Sequence, residues 1–70
     1  MNMNVFGKHL RELRLEKKLN QKELALIIGT NNSSICDWEC GRSEPSFDTL
    51  VKLCNYFGVS SDYMLGLSDF

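Results

Sequence analysis

The sequence predicts an all-α fold, a compact bundle of five short helices in a single domain spanning residues 1–70. Three observations carry this. Apolar residues recur at helical rather than alternating spacing. Asn and Ser stand at the starts of these runs, where a side-chain oxygen can accept from an orphan backbone N–H. Glycines at Gly7, Gly29, Gly41, Gly58 and Gly66 divide the chain into segments too short for long helices.

In the first segment, about residues 5–17, Phe6, Leu10 and Leu13 fall on one face, with Lys8, Arg11, Glu12 and Glu16 on the others. Asn20 opens the second as an N-cap. Glu23 stands three residues on, where it can reach back and complete a capping box. Leu24, Ile27 and Ile28 are the expected apolar face, and Gly29 is the expected positive-φ stop. Asn31 caps the third, which buries Ile35 and Trp38 and ends at Gly41. The segment Arg42-Ser43-Glu44-Pro45 is a loop. Ser46 caps a fourth helix whose expected inward residues are Phe47, Leu50, Val51, Cys54 and Phe57, stopping at Gly58. Ser60 or Ser61 caps a last short helix through Met64 and Leu65.

Composition narrows the function classes. Apolar residues are 43% and charged residues 24% of 70, a globular balance. A core of this size supplies only about 3–5 kcal/mol of net stability. No apolar run approaches the ~18 residues of a membrane span. Met1-Asn2-Met3-Asn4 has no basic stretch leading into an apolar one, so no leader is expected. Cys36, Cys40 and Cys54 form no disulfide framework and are expected as free thiols, the usual cytoplasmic state. Cys36 and Cys40 share a helix face and could begin a metal site, but a closed zinc site takes four ligands and the single histidine, His9, is remote in sequence. No cofactor or resident metal is expected. An enzyme is not expected either: no nucleophile, base and orienting group stand at recognisable spacing.

Net charge is −1, but unevenly spread. Residues 1–28 carry +3, from Lys8, Arg11, Arg14, Lys17, Lys18 and Lys22 against Glu12, Glu16 and Glu23. Residues 29–70 carry −4, from Arg42 and Lys52 against Asp37, Glu39, Glu44, Asp48, Asp62 and Asp69.

Residues of about 21–40 have the outline of a helix-turn-helix, two short helices joined by a tight turn containing Gly. A steep crossing demands a small residue on the first helix, which Ala25 supplies, and a sharp exit, which Gly29 supplies. Leu24, Ile28, Ile35 and Trp38 anchor the pair. Asn32, Ser33, Cys36 and Asp37 are then left facing outward.

The runs Leu19-Asn20-Gln21-Lys22-Glu23-Leu24-Ala25, Ile28-Gly29, Ser34-Ile35, Trp38-Glu39, Gly41 and Pro45-Ser46 resemble the Cro/repressor-type (XRE) helix-turn-helix domains. The resemblance continues through Leu50, Leu53, Phe57-Gly58-Val59-Ser60 and Tyr63-Met64-Leu65-Gly66-Leu67, covering about residues 6–67. It implies the lambda-repressor-like fold, with the third helix, about residues 31–40, in the major groove of double-stranded DNA. It implies that Gln21 bonds a phosphate, that Asn31, Asn32 and Ser33 meet bases and flanking phosphates, that Asp37 faces a base, and that Arg42 contacts phosphate. It also implies a structural ion pair between Arg14 and Glu39, expected to be partly exposed and worth about 1 kcal/mol or less. The implied function is a sequence-specific transcriptional regulator, a repressor acting as a homodimer on two-fold-related half-sites, with no small-molecule effector and no membrane.

One departure bears on affinity. Many family members carry Lys or Arg where this chain has Asn32, Asp37, Cys40 and Glu44, and residues 31–41 contain no basic residue. Weak binding by one copy is therefore expected. The segment from Asp62 to Phe70 is the expected dimer surface, with Tyr63 and Phe70 serving either terminal packing or dimer contacts. Residues 1–4 are either a DNA-touching arm or a frayed end. The alternative function is a protein-interaction module that keeps this fold and binds a toxin, protease or second regulator through its acidic second half.

Overall fold

The computed structural model describes residues 3–69, with side chains described from Val5 onward. Met1, Asn2 and Phe70, considered above for an arm and for terminal contacts, lie outside the described residues. The elements are α1 (Met3–Glu16), α2 (Gln21–Ile28), α3 (Asn32–Cys40), α4 (Phe47–Phe57) and α5 (Ser61–Met64). This is the all-α, five-helix architecture expected from the sequence.

The helix starts follow from local chemistry. Asn20 Oδ1 accepts from the Glu23 N–H at 2.7 Å, and Glu23 Oε1 accepts from the Asn20 N–H at 2.9 Å, which completes the capping box. Asn31, Ser46 and Ser60 cap α3, α4 and α5 by the first of these bonds alone, accepting from the N–H groups of Ser34, Thr49 and Tyr63. The open choice between Ser60 and Ser61 thus falls on Ser60. Gly29 ends α2 in the left-handed region at φ 87°, where a Cβ is costly. With only eight residues, α2 cannot persist alone. Replacing Asn20 by Ala is therefore expected to lower stability by about 1 kcal/mol, read as a shift in the urea midpoint; an unchanged midpoint would show that packing alone holds this helix start.

Phe6, Leu10 and Leu13 from α1, Leu24, Ala25 and Ile28 from α2, Ile35 and Trp38 from α3, Leu53 and Cys54 from α4 and Met64 from α5 form one buried cluster. Three expectations are corrected. Gly7 does not punctuate the chain but lies inside α1. Ile27 is half exposed rather than inward. On α4 the buried face is displaced: Phe47 is 87% exposed and Val51 56%, while Leu53 is fully buried. A helix carrying Phe47, Leu50, Val51, Leu53, Cys54 and Phe57 is apolar on more than one side, and the position of the rest of the bundle decides which side faces in.

Gly7 has a specific duty. A Cβ there would stand 2.4 Å from the Glu39 carbonyl oxygen and 2.7 Å from that of Trp38. Only a residue without a side chain lets α1 and α3 pack at this distance. Two residues further along α1, His9 Nδ1 lies 2.8 Å from the Tyr63 carbonyl oxygen, and its ring stacks on the Tyr63 ring at 4.3 Å between centroids. That contact ties α5 to α1 and gives Tyr63 an intramolecular packing role.

Candidate nucleic-acid interface

Helices α2 and α3 are separated by the short turn Gly29–Asn31. Buried Ala25 and Ile28 meet Ile35 and Trp38 in the common core. With Ile35 and Trp38 pinned inward, the opposite side of α3 is fixed by geometry. Asn31, Asn32 and Ser33 are exposed at its start, and Cys36 and Asp37 are half-buried one turn later. Asn31 is occupied at its Oδ1 by the Ser34 N–H at 2.8 Å. Its side-chain NH2 keeps two donors that this bond does not use.

The orientation of this pair is held by an ionic clamp. Arg14 on α1 grips Glu39 on α3 with two parallel bonds, Nε to Oε2 at 2.7 Å and Nη2 to Oε1 at 3.1 Å. Its remaining Nη1 donates to the Leu19 carbonyl at 2.8 Å. Gln21, the first residue of α2, donates through Nε2 to Glu39 Oε1 at 3.2 Å. One carboxylate thus joins α1, α2 and α3. The side chains of Arg14 and Glu39 are only 9% and 4% exposed. The expectation of a partly exposed, weak pair is corrected accordingly: α1 and α3 close over it. The hydrogen bond to Glu39 and its charge outweigh burial and raise the Arg14 pKa further above its ordinary value.

Gln21 is the residue whose surroundings differ most from the expectation. It is engaged inside the protein, yet its amide NH2 has a second N–H that the bond to Glu39 leaves over. Asp37 and Arg42, predicted as separate contacts, meet each other: Arg42 Nε donates to Asp37 Oδ1 at 3.1 Å. Their side chains are 43% and 63% exposed respectively, so this is a solvent-screened surface pair that Arg42 can leave readily. Arg42 Nη2 also reaches Cys36 Sγ at 3.5 Å, and Cys36 Sγ lies 4.0 Å from Cys40 Sγ. The Cys40 thiol pKa is raised, chiefly by its hydrogen bond with Cys36. All three cysteines are free thiols. Sequence reasoning placed Cys36 and Cys40 on one face but missed Arg42 beside them; the signal was the five- and six-residue spacing from Asp37 and Cys36 across the Gly41 turn.

An unexpected surface lies beside the loop that precedes α4. Phe6, Pro45, Phe47, Leu50 and Leu65 line an open apolar cleft between α1, the loop before α4 and α5. Phe47 on its rim and Val51 one turn on are exposed, as is Leu67 after α5. No helix among the described residues is long and apolar enough to cross a membrane.

The family model described as "Helix-turn-helix" matches residues 10–64. The HTH-type transcriptional regulator ImmR of Bacillus subtilis is 40% identical over 60 residues, covering 86% of this chain and 47% of ImmR. Repressor protein C2 of Salmonella phage P22 is 32% identical over 65 residues, covering 93% of this chain and 30% of that protein. The chain spans about half the length of ImmR and of other curated relatives it matches. Among solved structures, the P22 c2 repressor in complex with a synthetic operator superposes with a TM-score of 0.84 at 30% identity, over 90% of this chain and 96% of that one. The restriction-modification controller protein C.AhdI of Aeromonas hydrophila gives 0.78 at 31% identity, over 89% and 94%. With its five-helix bundle, its doubly capped α2–α3 pair and a family match over most of its length, the chain belongs to the XRE-type, Cro/repressor-like helix-turn-helix family.

Proposed function

We propose that this chain is a sequence-specific double-stranded DNA-binding repressor whose helix α3 lies in the major groove. The observation that carries the reading is the clamp of Arg14 and Gln21 on Glu39, which holds α2 and α3 rigidly while the start of α3 offers short polar side chains outward. Relatives named as regulators and repressors, one solved with its operator, support it. Such a repressor works in the cytoplasm, with the chromosome.

In this reading Asn32 and Ser33 read base edges, and an Asn amide can pair with adenine N6 and N7. Asn31 and the second N–H of Gln21 bond phosphates. Arg42 exchanges its exposed partner Asp37 for a phosphate, and Asp37, once released, is able to accept from cytosine N4. Binding measured by fluorescence anisotropy is expected to weaken as salt rises. Arg42→Ala is expected to weaken all sequences alike and to flatten the log–log salt slope by about 1 per chain. Binding indifferent to salt, or an Arg42→Ala slope equal to wild type, would contradict these roles.

Because α3 carries no basic residue, two copies acting together are needed for useful affinity, on half-sites about 34–36 Å apart. The exposed Phe47 and Val51, the cleft beside them and Leu67 favour this face as the homodimer contact. Phe47→Asp alters no buried residue, so the variant is expected to fold normally yet sediment as a monomer where wild type sediments as a dimer. A dimer that survives this change would place the contact elsewhere; a wild-type monomer would turn the apolar face and the acidic second half toward a different protein partner.

A further inference from the structure

We propose that Cys36 and Cys40 form a two-coordinate site for a soft monovalent cation of the copper(I) class on the outward side of α3. Both thiols are free and sit one helical turn apart with their sulfurs 4.0 Å from each other. That separation suits a bridging atom. Two thiolate–metal bonds of about 2.3 Å span roughly 4.6 Å in the linear arrangement that a two-coordinate ion favours, so side-chain rotation that parts the sulfurs by about 0.6 Å is enough. It does not suit a direct sulfur–sulfur bond. A disulfide draws the two Cβ atoms to about 3.5–4.5 Å, whereas residues i and i+4 on a helix hold theirs about 5–6 Å apart. Direct oxidation therefore has to distort α3, while a bridged pair leaves it helical.

Ligand number and charge narrow the ion. Among the described residues, no group of three or more His, Cys, Asp or Glu is placed to hold a metal, so a four-ligand zinc centre is not supplied. Soft thiolates select copper(I), which accepts two ligands. Binding breaks two S–H bonds, forms two S–Cu bonds and releases two protons, with no change in oxidation state. The bridged group carries a charge of −1. Arg42 is positioned to offset it, with Nη2 3.5 Å from Cys36 Sγ. A divalent ion in the same place would make the bridged group neutral and leave no charge for that guanidinium to offset.

If α3 faces DNA as proposed above, the ion adds one negative charge on its outward side and draws Arg42 toward sulfur rather than phosphate. Copper(I) is then a ligand that opposes DNA binding. The expected coupling is at least about fivefold, and it is reciprocal: DNA weakens copper(I) by the same factor.

The first test needs no DNA. The reduced full chain is titrated with copper(I) against a chromophoric copper(I) chelator. One ion per chain is expected, and Cys36→Ser or Cys40→Ser alone is expected to lower the affinity more than about hundredfold, beyond what loss of an outer-shell group costs. Both positions lie outside the core, so helical circular dichroism should be unchanged; Cys54→Ala should leave binding intact. Affinity equal in wild type and either serine variant, one ion per two chains, or dependence on Cys54 would overturn the site. A second titration follows DNA affinity with and without the ion. Absence of DNA binding by the metal-free chain would refute the functional reading and leave the site standing, whereas equal DNA affinity in both states would refute the coupling.

Discussion

Replacing Arg14 by alanine is expected to leave the chain largely unfolded at 25 °C. The substitution removes three donors at once, two to Glu39 and one to the Leu19 carbonyl. It strands the Glu39 carboxylate, 4% exposed, between α1 and α3 with only Gln21, among the described residues, as a remaining side-chain partner. Breaking a buried pair from one side costs about 3–5 kcal/mol, and a domain of this size has about that much to lose. Replacing both partners, Arg14→Met with Glu39→Met, removes the stranded charge along with the pair. The double variant is expected to be clearly more stable than either single one. Urea unfolding followed by circular dichroism of the three variants decides the matter. A loss below 1 kcal/mol for Arg14→Ala would mean that the pair behaves as a solvated surface contact.

Gly7→Ala is expected to be nearly as damaging, although it adds one methyl group. The new Cβ would meet backbone, not a flexible side chain: the Glu39 and Trp38 carbonyl oxygens, at 2.4 and 2.7 Å. Relief requires α3 to move away from α1, which lengthens the Arg14–Glu39 bonds and unseats Trp38. Overpacking of this kind costs about 1–3 kcal/mol or more, against a gain of up to about 1 kcal/mol in helix propensity. The net expectation is a lower melting temperature and a loss of DNA affinity greater than the stability loss alone explains, since the same movement displaces the outward side of α3. A Gly7→Ala protein as stable as wild type would show that α1 and α3 have slack between them.

These two residues also mark where the sequence stops being legible. Capping is local chemistry within four residues, so Asn20, Glu23, Asn31 and Ser46 could be assigned from spacing alone and stand as expected. The anchors Leu24, Ile28, Ile35 and Trp38 follow from two short apolar patterns that must meet. Gly7 looked like a break between segments because nothing nearby in the chain reveals that α3 passes against it. The burial of Arg14 and Glu39 depends on that same approach and was hidden with it. On α4, Phe47 and Val51 fit an inward stripe as well as Leu53 does; the choice between stripes belongs to the tertiary arrangement. In the interface, the outward position of Asn32 and Ser33 could be deduced, while the engagement of Gln21 with Glu39 and of Arg42 with Asp37 and Cys36 depends on side-chain geometry that spacing does not specify.

If α3 lies in the major groove as proposed, its start reads DNA sequence. Selection of sites from a random duplex pool in modest salt, with wild type and Asn32→Ala in parallel, tests it most directly. A two-fold-related site is expected for wild type, and the same site with one base position relaxed for the variant. No enriched site at low salt, or an identical site for both proteins, would contradict it.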